Sequence, residues 1–435
     1  MKPSIKKSTK KKSFSIFLSL MSALVLSFQF AGCDKGPFTA HSSFTEIDSP
    51  AGLNSQSPRL SQDLLGNPLL SWIEFEDEHS ILKYSVMRQD QWSLPQEVAR
   101  GDDWVINGSD TPSVVHLSES LMAAHWLVKN PNGSFAYDIF SSHSQNNGKT
   151  WSNPITPHTD GTAVEHGFAN IYKTSGEGRE GYGVVWLDSA NVSIKVFPGS
   201  GHSTSGVGLR SALIDLDGFI YDQQLVDVLV CDCCPTALTQ GSQGPIVAYR
   251  NRDETEQRDI FYTQLRDGHW SKPSPVGFDD WHIAGCPVNG PAIASLGNTV
   301  AVAWFTAAGG RKSVRIAISR NGGVTFEPQF EIDHGDTLGR VSLAMDSSEQ
   351  ITVSWLTVPK GSKFAQIQLA AYELKNGAPS KISQDTIILE TNKPVGVPVI
   401  APLAEGGGVL AWTAGGVRAP RVRVFSWTGG QRAGS

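Results

Sequence analysis

Val302-Ala303-Trp304-Phe305 is a β-rich apolar run centred on an aromatic residue, and it is one of seven such runs in the chain. The others are Leu70-Ser71-Trp72-Ile73, Ala124-His125-Trp126-Leu127, Val184-Val185-Trp186-Leu187, Val247-Ala248-Tyr249-Arg250, Val353-Ser354-Trp355-Leu356 and Leu410-Ala411-Trp412-Thr413, with successive centres 51 to 63 residues apart. Short apolar strands recurring at that period predict one four-stranded sheet per copy, arranged in a ring. The expected fold is therefore an all-β propeller of seven blades, or six if one copy is decorative. Composition agrees: 43 Gly, 24 Pro and 12 Trp in 435 residues describe many short strands and tight turns rather than helices.

Each copy fills in around its aromatic run. A short strand precedes it (Pro112 to Leu117, Pro235 to Gln240, Gly290 to Leu296) and another follows it (Ser80 to Met87, Arg258 to Arg266, Arg311 to Ser319). Then comes a recurring turn, Gln91-Trp92-Ser93, Thr150-Trp151-Ser152 and His269-Trp270-Ser271, whose aromatic opens the fourth strand. The last copy, from about Val397 to Trp427, lacks a fourth strand. Near the N-terminus Phe44-Thr45-Glu46-Ile47-Asp48 has no blade of its own and matches Phe330-Glu331-Ile332-Asp333 in pattern. We expect the N-terminal segment to complete the last blade, which closes the ring and removes a free edge.

Two turns are longer: Ser144-Gln145-Asn146-Asn147-Gly148-Lys149-Thr150-Trp151 and Ser319-Arg320-Asn321-Gly322-Gly323-Val324-Thr325-Phe326. They resemble the Asp box, Ser-x-Asp-x-Gly-x-Thr-Trp, of sialidase-type (BNR-repeat) propellers, with Asn146 and Asn321 in place of the acid. The side-chain carbonyl of Asn ties down backbone amides as Asp does, so the mechanics are kept. In that family the box lies opposite the active-site face and bears on fold rather than chemistry.

The first 32 residues differ in kind. Lys2, Lys6, Lys7, Lys10, Lys11 and Lys12 precede the apolar run Phe14 to Phe30, which reads as an export signal. Phe30-Ala31-Gly32-Cys33 resembles a bacterial lipobox; the resemblance implies cleavage before Cys33, lipid on its sulfur, and membrane attachment through a linker at 33–42. By the same resemblance, Asp34 directly after it implies the periplasmic side of the inner membrane in bacteria that sort lipoproteins by that residue. We expect a lipid-anchored protein of the bacterial cell envelope, with the propeller over 43–435. Formal charge is −6, and −12 once the six signal lysines are removed; so acidic a chain argues against nucleic acid as partner.

In a propeller the loops before first strands, and those between second and third strands, emerge on one face around the axis. That top face is expected to carry Arg59, Asp110, Glu165, His166, Cys231 to Cys234, His282 to Asn289, Asp336 and Arg340, with Glu74 to Glu78, Asp188 and the charged run Arg250 to Glu254. The sialidase resemblance implies three arginines gripping a carboxylate, a Tyr/Glu nucleophile and an Asp acid. Arg59, Arg250 or Arg252, and Arg340 are the arginine candidates, and Glu76 and Asp77 are the candidate acids. Yet Ser57-Pro58-Arg59-Leu60 departs from the family's Arg-Ile-Pro, and no tyrosine stands at the top of a late blade.

Cys231-Asp232-Cys233-Cys234-Pro235 and Gly285-Cys286-Pro287-Val288-Asn289-Gly290-Pro291 hold every cysteine but Cys33. They resemble a group of bacterial exported proteins labelled sialidase-like that carry these two segments in adjacent repeats. Three readings of the sulfurs stay open. Disulfides would pin one blade to the next through Cys286. A soft-metal site would hold Cu(I) or Zn(II) on Cys231, Cys233, Cys286 and either Cys234 or His282. Redox use would draw on the vicinal pair Cys233 and Cys234. Since Pro235 and Pro291 both lie near the starts of first strands, Cys286 is expected within bonding reach of the first cluster. The functional expectation is a propeller that binds a small molecule, glycan, metal or protein at its top face, with Arg250, Arg252, Asp253, His282 and Asn289 as binding candidates. An exo-sialidase and an envelope scaffold are the alternatives.

Overall fold

Each aromatic-centred run is the second strand of an antiparallel sheet: Pro68–Glu76, Met122–Lys129, Gly181–Asp188, Gly244–Arg250, Thr299–Thr306, Gln350–Thr357 and Gly408–Ala414. The computed structural model describes residues 44–174, 179–190, 206–347, 349–375, 378–415 and 419–428. The export signal, Cys33 and the linker at 33–42 lie outside the described residues. Seven sheets form seven blades, so the six-bladed alternative falls away. The irregular third copy is a complete blade: His166–Lys173, Gly181–Asp188, Val207–Asp215 and Ile220–Val230.

The second strands read as continuous apolar runs because both of their faces are covered, one by each neighbouring blade. Every residue of Thr299–Thr306 and of Gly181–Asp188 is buried. A buried indole N–H needs an acceptor, and four of the tryptophans find a carboxylate: Trp72 with Glu74 at 2.9 Å, Trp186 with Asp188 at 2.7 Å, Trp304 with Asp279 at 2.7 Å, and Trp355 with Asp333 at 2.6 Å.

The N-terminal strand closes the ring as the outer strand of the seventh blade. Phe44–Ile47 pairs antiparallel with Arg421–Trp427, Phe44 opposite Trp427 and Ile47 opposite Val424. Arg423 grips Glu46 with two hydrogen bonds, 2.7 and 2.5 Å. This leaves the last blade without the free edge its missing fourth strand would create.

The two long turns share one bonding scheme. Ser144 Oγ accepts from Gly148 N at 2.8 Å, and Asn146 Oδ1 accepts from Thr150 N at 2.9 Å. The same atoms of Ser319, Gly323, Asn321 and Thr325 repeat both bonds at 3.0 Å. Asn also donates to the threonine hydroxyl, at 2.7 and 2.8 Å, a bond Asp makes only in the reverse sense. In the Trp-Ser turns Ser93, Ser152 and Ser271 accept from the backbone of the third strand at 3.1 Å.

Candidate functional site

The first strands start around the axis, and their starts carry a recurring irregularity. Register shifts occur between Gln56 and Arg59, Gly167 and Asn170, Gly339 and Ser342, and Val395 and Val399. Each shift contains a residue in the left-handed region: Ser57 (φ 55°), Phe168 (53°), Arg340 (53°) and Gly396 (75°). Bulges of this kind re-aim side chains and collect beside functional sites. Here they rim an axial cavity of about 360 Å³ lined by Arg59, Asn107, Thr236, Asn289, Arg340 and Thr413 among others. A second cavity of about 490 Å³ opens from the opposite end and shares Arg59, Leu238, Ile293 and Leu343 with the first, so those residues form the waist of one channel.

Arg59 crosses that waist from the first blade to donate to Asn170 Oδ1 of the third, and Asn170 Nδ2 donates to Thr236 Oγ1 of the fourth at 2.6 Å. Arg340 donates from Nη1 to Gly396 O at 2.9 Å, and its backbone N–H is held by Asn289 Oδ1 at 2.7 Å. Burial pulls both guanidinium groups below their ordinary pKa, with Asp110 drawing Arg59 back up. No carboxylate is among the described residues lining the upper cavity. It is a cationic well.

In fold the chain is similar to sialidases. Over 88% of its length it superposes on 94% of a variant of the NanB sialidase from Streptococcus pneumoniae, with 9% identity and a TM-score of 0.48. It also superposes on a Penicillium chrysogenum alpha-L-arabinanase complexed with arabinobiose (12% identity, 90% of this chain, 98% of that one, TM-score 0.45). A Fusarium graminearum alpha-L-arabinofuranosidase with an iminosugar inhibitor aligns similarly (11% identity, 89% and 97%, TM-score 0.45). No family profile and no curated protein matches the chain.

Of the residues singled out in the sequence, Arg59, Arg340 and Asn289 meet on the cavity wall. Arg250 does not. It is 1% exposed, its guanidinium donates to Asn289 O at 2.8 Å, Arg258 O at 2.7 Å and Phe305 O at 2.7 Å, and it lies 4.8 Å over the Trp281 ring. All three of its guanidinium nitrogens donate within the joint between fourth and fifth blades, so the structure does not assemble three arginines around one carboxylate. Arg252 pairs with Glu256 at 2.5 and 3.0 Å, and Asp253 caps its own turn by accepting from Thr255 N and Gln257 N. His282 is exposed and bonded to Asp280 at 3.1 Å; Asp77 sits exposed at φ 54° in the hairpin after Glu76. None of these four lines the cavity.

The cysteine segments run side by side: a Cβ on Gly290 would stand 1.9 Å from Pro235 O, so only glycine fits there. Cys233 and Cys286 are joined, with Cα atoms 6.1 Å apart. Cys231 and Cys234 are buried thiols, and Cys231 Sγ is 3.9 Å from Cys233 Sγ. Arg258 Nη1 donates to Cys231 Sγ at 3.2 Å. Burial alone would raise the Cys231 thiol, but the Cys234 thiol, the Cys233 amide and the cations Arg258 and Arg250 bring it down to about 7. Cys234, buried beside it, is pushed up. The bond consumes two of the four sulfurs, and a third accepts from Arg258; metal on this cluster would require the Cys233–Cys286 bond reduced.

Sequence reasoning missed the polar seam between second and third blades. Asp110 is 1% exposed, accepts from Phe168 N at 2.8 Å and Tyr137 Oη at 3.4 Å, and burial raises its pKa to about 7. Tyr137 and Glu165 face each other across a parallel bridge. This is the one Tyr/acid grouping of the described top face that lies near Arg59, but the hydroxyl donates to Asp110, and none of the three lines the cavity. Asp110, Glu165 and His166 were visible in the sequence, as residues ahead of first strands; Tyr137 was not.

Proposed function

We propose that the protein is a lipid-anchored envelope propeller, held at the membrane through Cys33, that captures a small anionic ligand in its axial cavity. The observation that carries this reading is the pairing of Arg59 and Arg340 on a wall without carboxylates. Two guanidinium groups in a partly dry concavity attract a carboxylate, phosphate or sulfate strongly, and both are pre-positioned by hydrogen bonds that leave further donors free on the fork. A volume of about 360 Å³ suits a monosaccharide acid or a compound of that size.

A hydrolase of the exo-sialidase type is the second reading, favoured by the grouping of Asp110, Tyr137 and Glu165 near Arg59. Against it, the Tyr137 hydroxyl is turned to Asp110 and Tyr137 does not line the cavity. Isothermal titration with N-acetylneuraminate, glucuronate and inorganic phosphate tests the first reading. At least one should bind saturably at low salt and weaken by tenfold or more in Arg340→Ala, about 1.4 kcal/mol. Binding of none, or binding indifferent to both Arg59→Ala and Arg340→Ala, refutes it. Turnover of a fluorogenic sialoside that vanishes in Tyr137→Phe establishes the second.

A further inference from the structure

The seam between second and third blades holds an arrangement that neither the cavity nor the cysteines explain. Asp138 is the second residue of the third strand of the second blade, Tyr137–Ser144; His158 lies in the connection that follows; His166 opens the first strand of the third blade. Their side chains converge. His166 Nδ1 is 3.5 Å from Asp138 Oδ1, and His158 Nε2 is 3.7 Å from the same oxygen. His166 is 0% and His158 9% exposed, and none of the three atoms has a hydrogen-bond partner among the described residues. Leaving one buried polar atom unpaired costs about 1–3 kcal/mol. Three at one point call for an occupant.

The second layer decides its sign. His166 Nε2 lies 3.1 Å from Asp160 Oδ2, closer than Nδ1 lies to Asp138, and this shorter contact favours the tautomer with its proton on Nε2. Nδ1 then presents a bare lone pair to Asp138 Oδ1, itself a lone-pair atom. The other Asp138 oxygen is fixed by Asn130 Nδ2 at 2.9 Å, so the carboxylate cannot turn away freely. Asp188, 3.9 Å from His166 Nε2, adds a third acid to the cluster, countered by Arg210 at 3.6 Å. Two imidazole nitrogens and a carboxylate oxygen, with acids behind them, face one point that a cation or a bridging water satisfies. Donor separations of 3.5 and 3.7 Å are those of ligands about 2.0–2.2 Å from one shared ion.

We infer that Asp138, His158 and His166 bind a divalent transition-metal ion of the Zn(II) class, with Asp160 as the positioning residue for His166. Two nitrogens and one oxygen suit a borderline ion rather than Ca²⁺ or Mg²⁺, which take all-oxygen shells. Three protein donors leave the fourth tetrahedral position to water or a ligand on the top face. The two imidazoles stack parallel at 3.7 Å; an ion in both ring planes requires one ring to turn about χ2, so binding reorients a histidine.

The full mature chain, treated with a chelator and exchanged into buffer, is titrated with Zn(II) and separately with Co(II). One equivalent should bind, and the Co(II) form should show tetrahedral d–d absorption without a thiolate charge-transfer band. His158→Ala and His166→Ala should each abolish the d–d absorption. Asp160→Asn, which keeps the fold and the three donors, should weaken affinity about 10–100-fold. Cys231→Ser/Cys234→Ser should leave stoichiometry and spectrum unchanged, separating this site from the thiols. If wild-type protein binds no metal at equimolar concentration, a bridging water fills the point and the inference is wrong. It is equally wrong if binding survives His158→Ala or is lost only with the cysteines.

Discussion

Removing the Cys233–Cys286 bond should lower stability by an amount the structure fixes. The bond closes a loop of 53 residues between the segments that open the fourth and fifth blades. In the chain-entropy model that span corresponds to about 4 kcal/mol at 25 °C. With about 2 cal/mol/K of unfolding entropy per residue over 44–428, this lowers Tm by about 5 °C. The perturbation is Cys233→Ser/Cys286→Ser rather than Cys286→Ser alone. A single replacement frees Cys233 beside Cys231, 3.9 Å away, and a new bond between them would confuse the result. Differential scanning calorimetry on oxidised wild type, the double variant and wild type in reductant is the assay, with a free-thiol count on each. The last two should melt together, below the first. A double variant within about 1 °C of oxidised wild type would refute the reasoning, because the blades would then be held together without help from the crosslink.

Three further outcomes follow from the packing. Gly148→Ala should destabilise by about 2–5 kcal/mol in urea unfolding, since φ is +81° and a Cβ would stand 1.9 Å from the Tyr84 hydroxyl of the previous blade. Asp279→Ala should cost about 3–5 kcal/mol by the same measurement, because it strands the Trp304 indole and Arg315, which Asp279 holds at 2.7 and 2.6 Å. Asp110 keeps its proton up to about 7 when folded against 3.8 in the unfolded chain, so the stability it contributes is complete below about pH 3.8 and lost as pH rises through about 7. The stability difference between wild type and Asp110→Asn should therefore shift across that window, against wild type at higher pH, by an amount on the order of 4 kcal/mol; a difference flat from pH 4 to 8 would show Asp110 ionised throughout.

What could be read from the sequence was whatever repeats. Trp72, Trp126, Trp186, Trp304, Trp355 and Trp412 are second-strand residues because one environment, a strand covered on both faces, recurs in every blade and selects one residue type. The Ser144 and Ser319 turns were legible for the same reason, as was Phe44–Ile47, whose pattern copies an outer strand. Arg250 shows where this stops. Its place in a charged run, Arg250 to Glu254, reads as an open loop, yet its partners are the carbonyls of Arg258, Asn289 and Phe305, set by the neighbouring blade and by no local spacing. The histidine site is harder still. Asp138, His158 and His166 come from three separate segments across a blade boundary, and nothing in their spacing resembles a ligand motif.

The bulge at Gly167 makes the two proposed sites one problem. A Cβ there would stand 2.2 Å from Asp110 Oδ2 and 2.7 Å from the Tyr137 ring, so glycine is what lets the third blade's first strand approach the second blade. The register shift between Gly167 and Asn170, with Phe168 at φ 53°, then does three things in five residues. It sends His166 outward to Asp138 and Asp160, aims the Phe168 N–H at Asp110, and turns Asn170 inward to receive Arg59. A regular strand alternates its side chains and would not deliver these contacts in this order. The histidine of the proposed ion site therefore stands on a segment whose other end holds an arginine of the axial cavity.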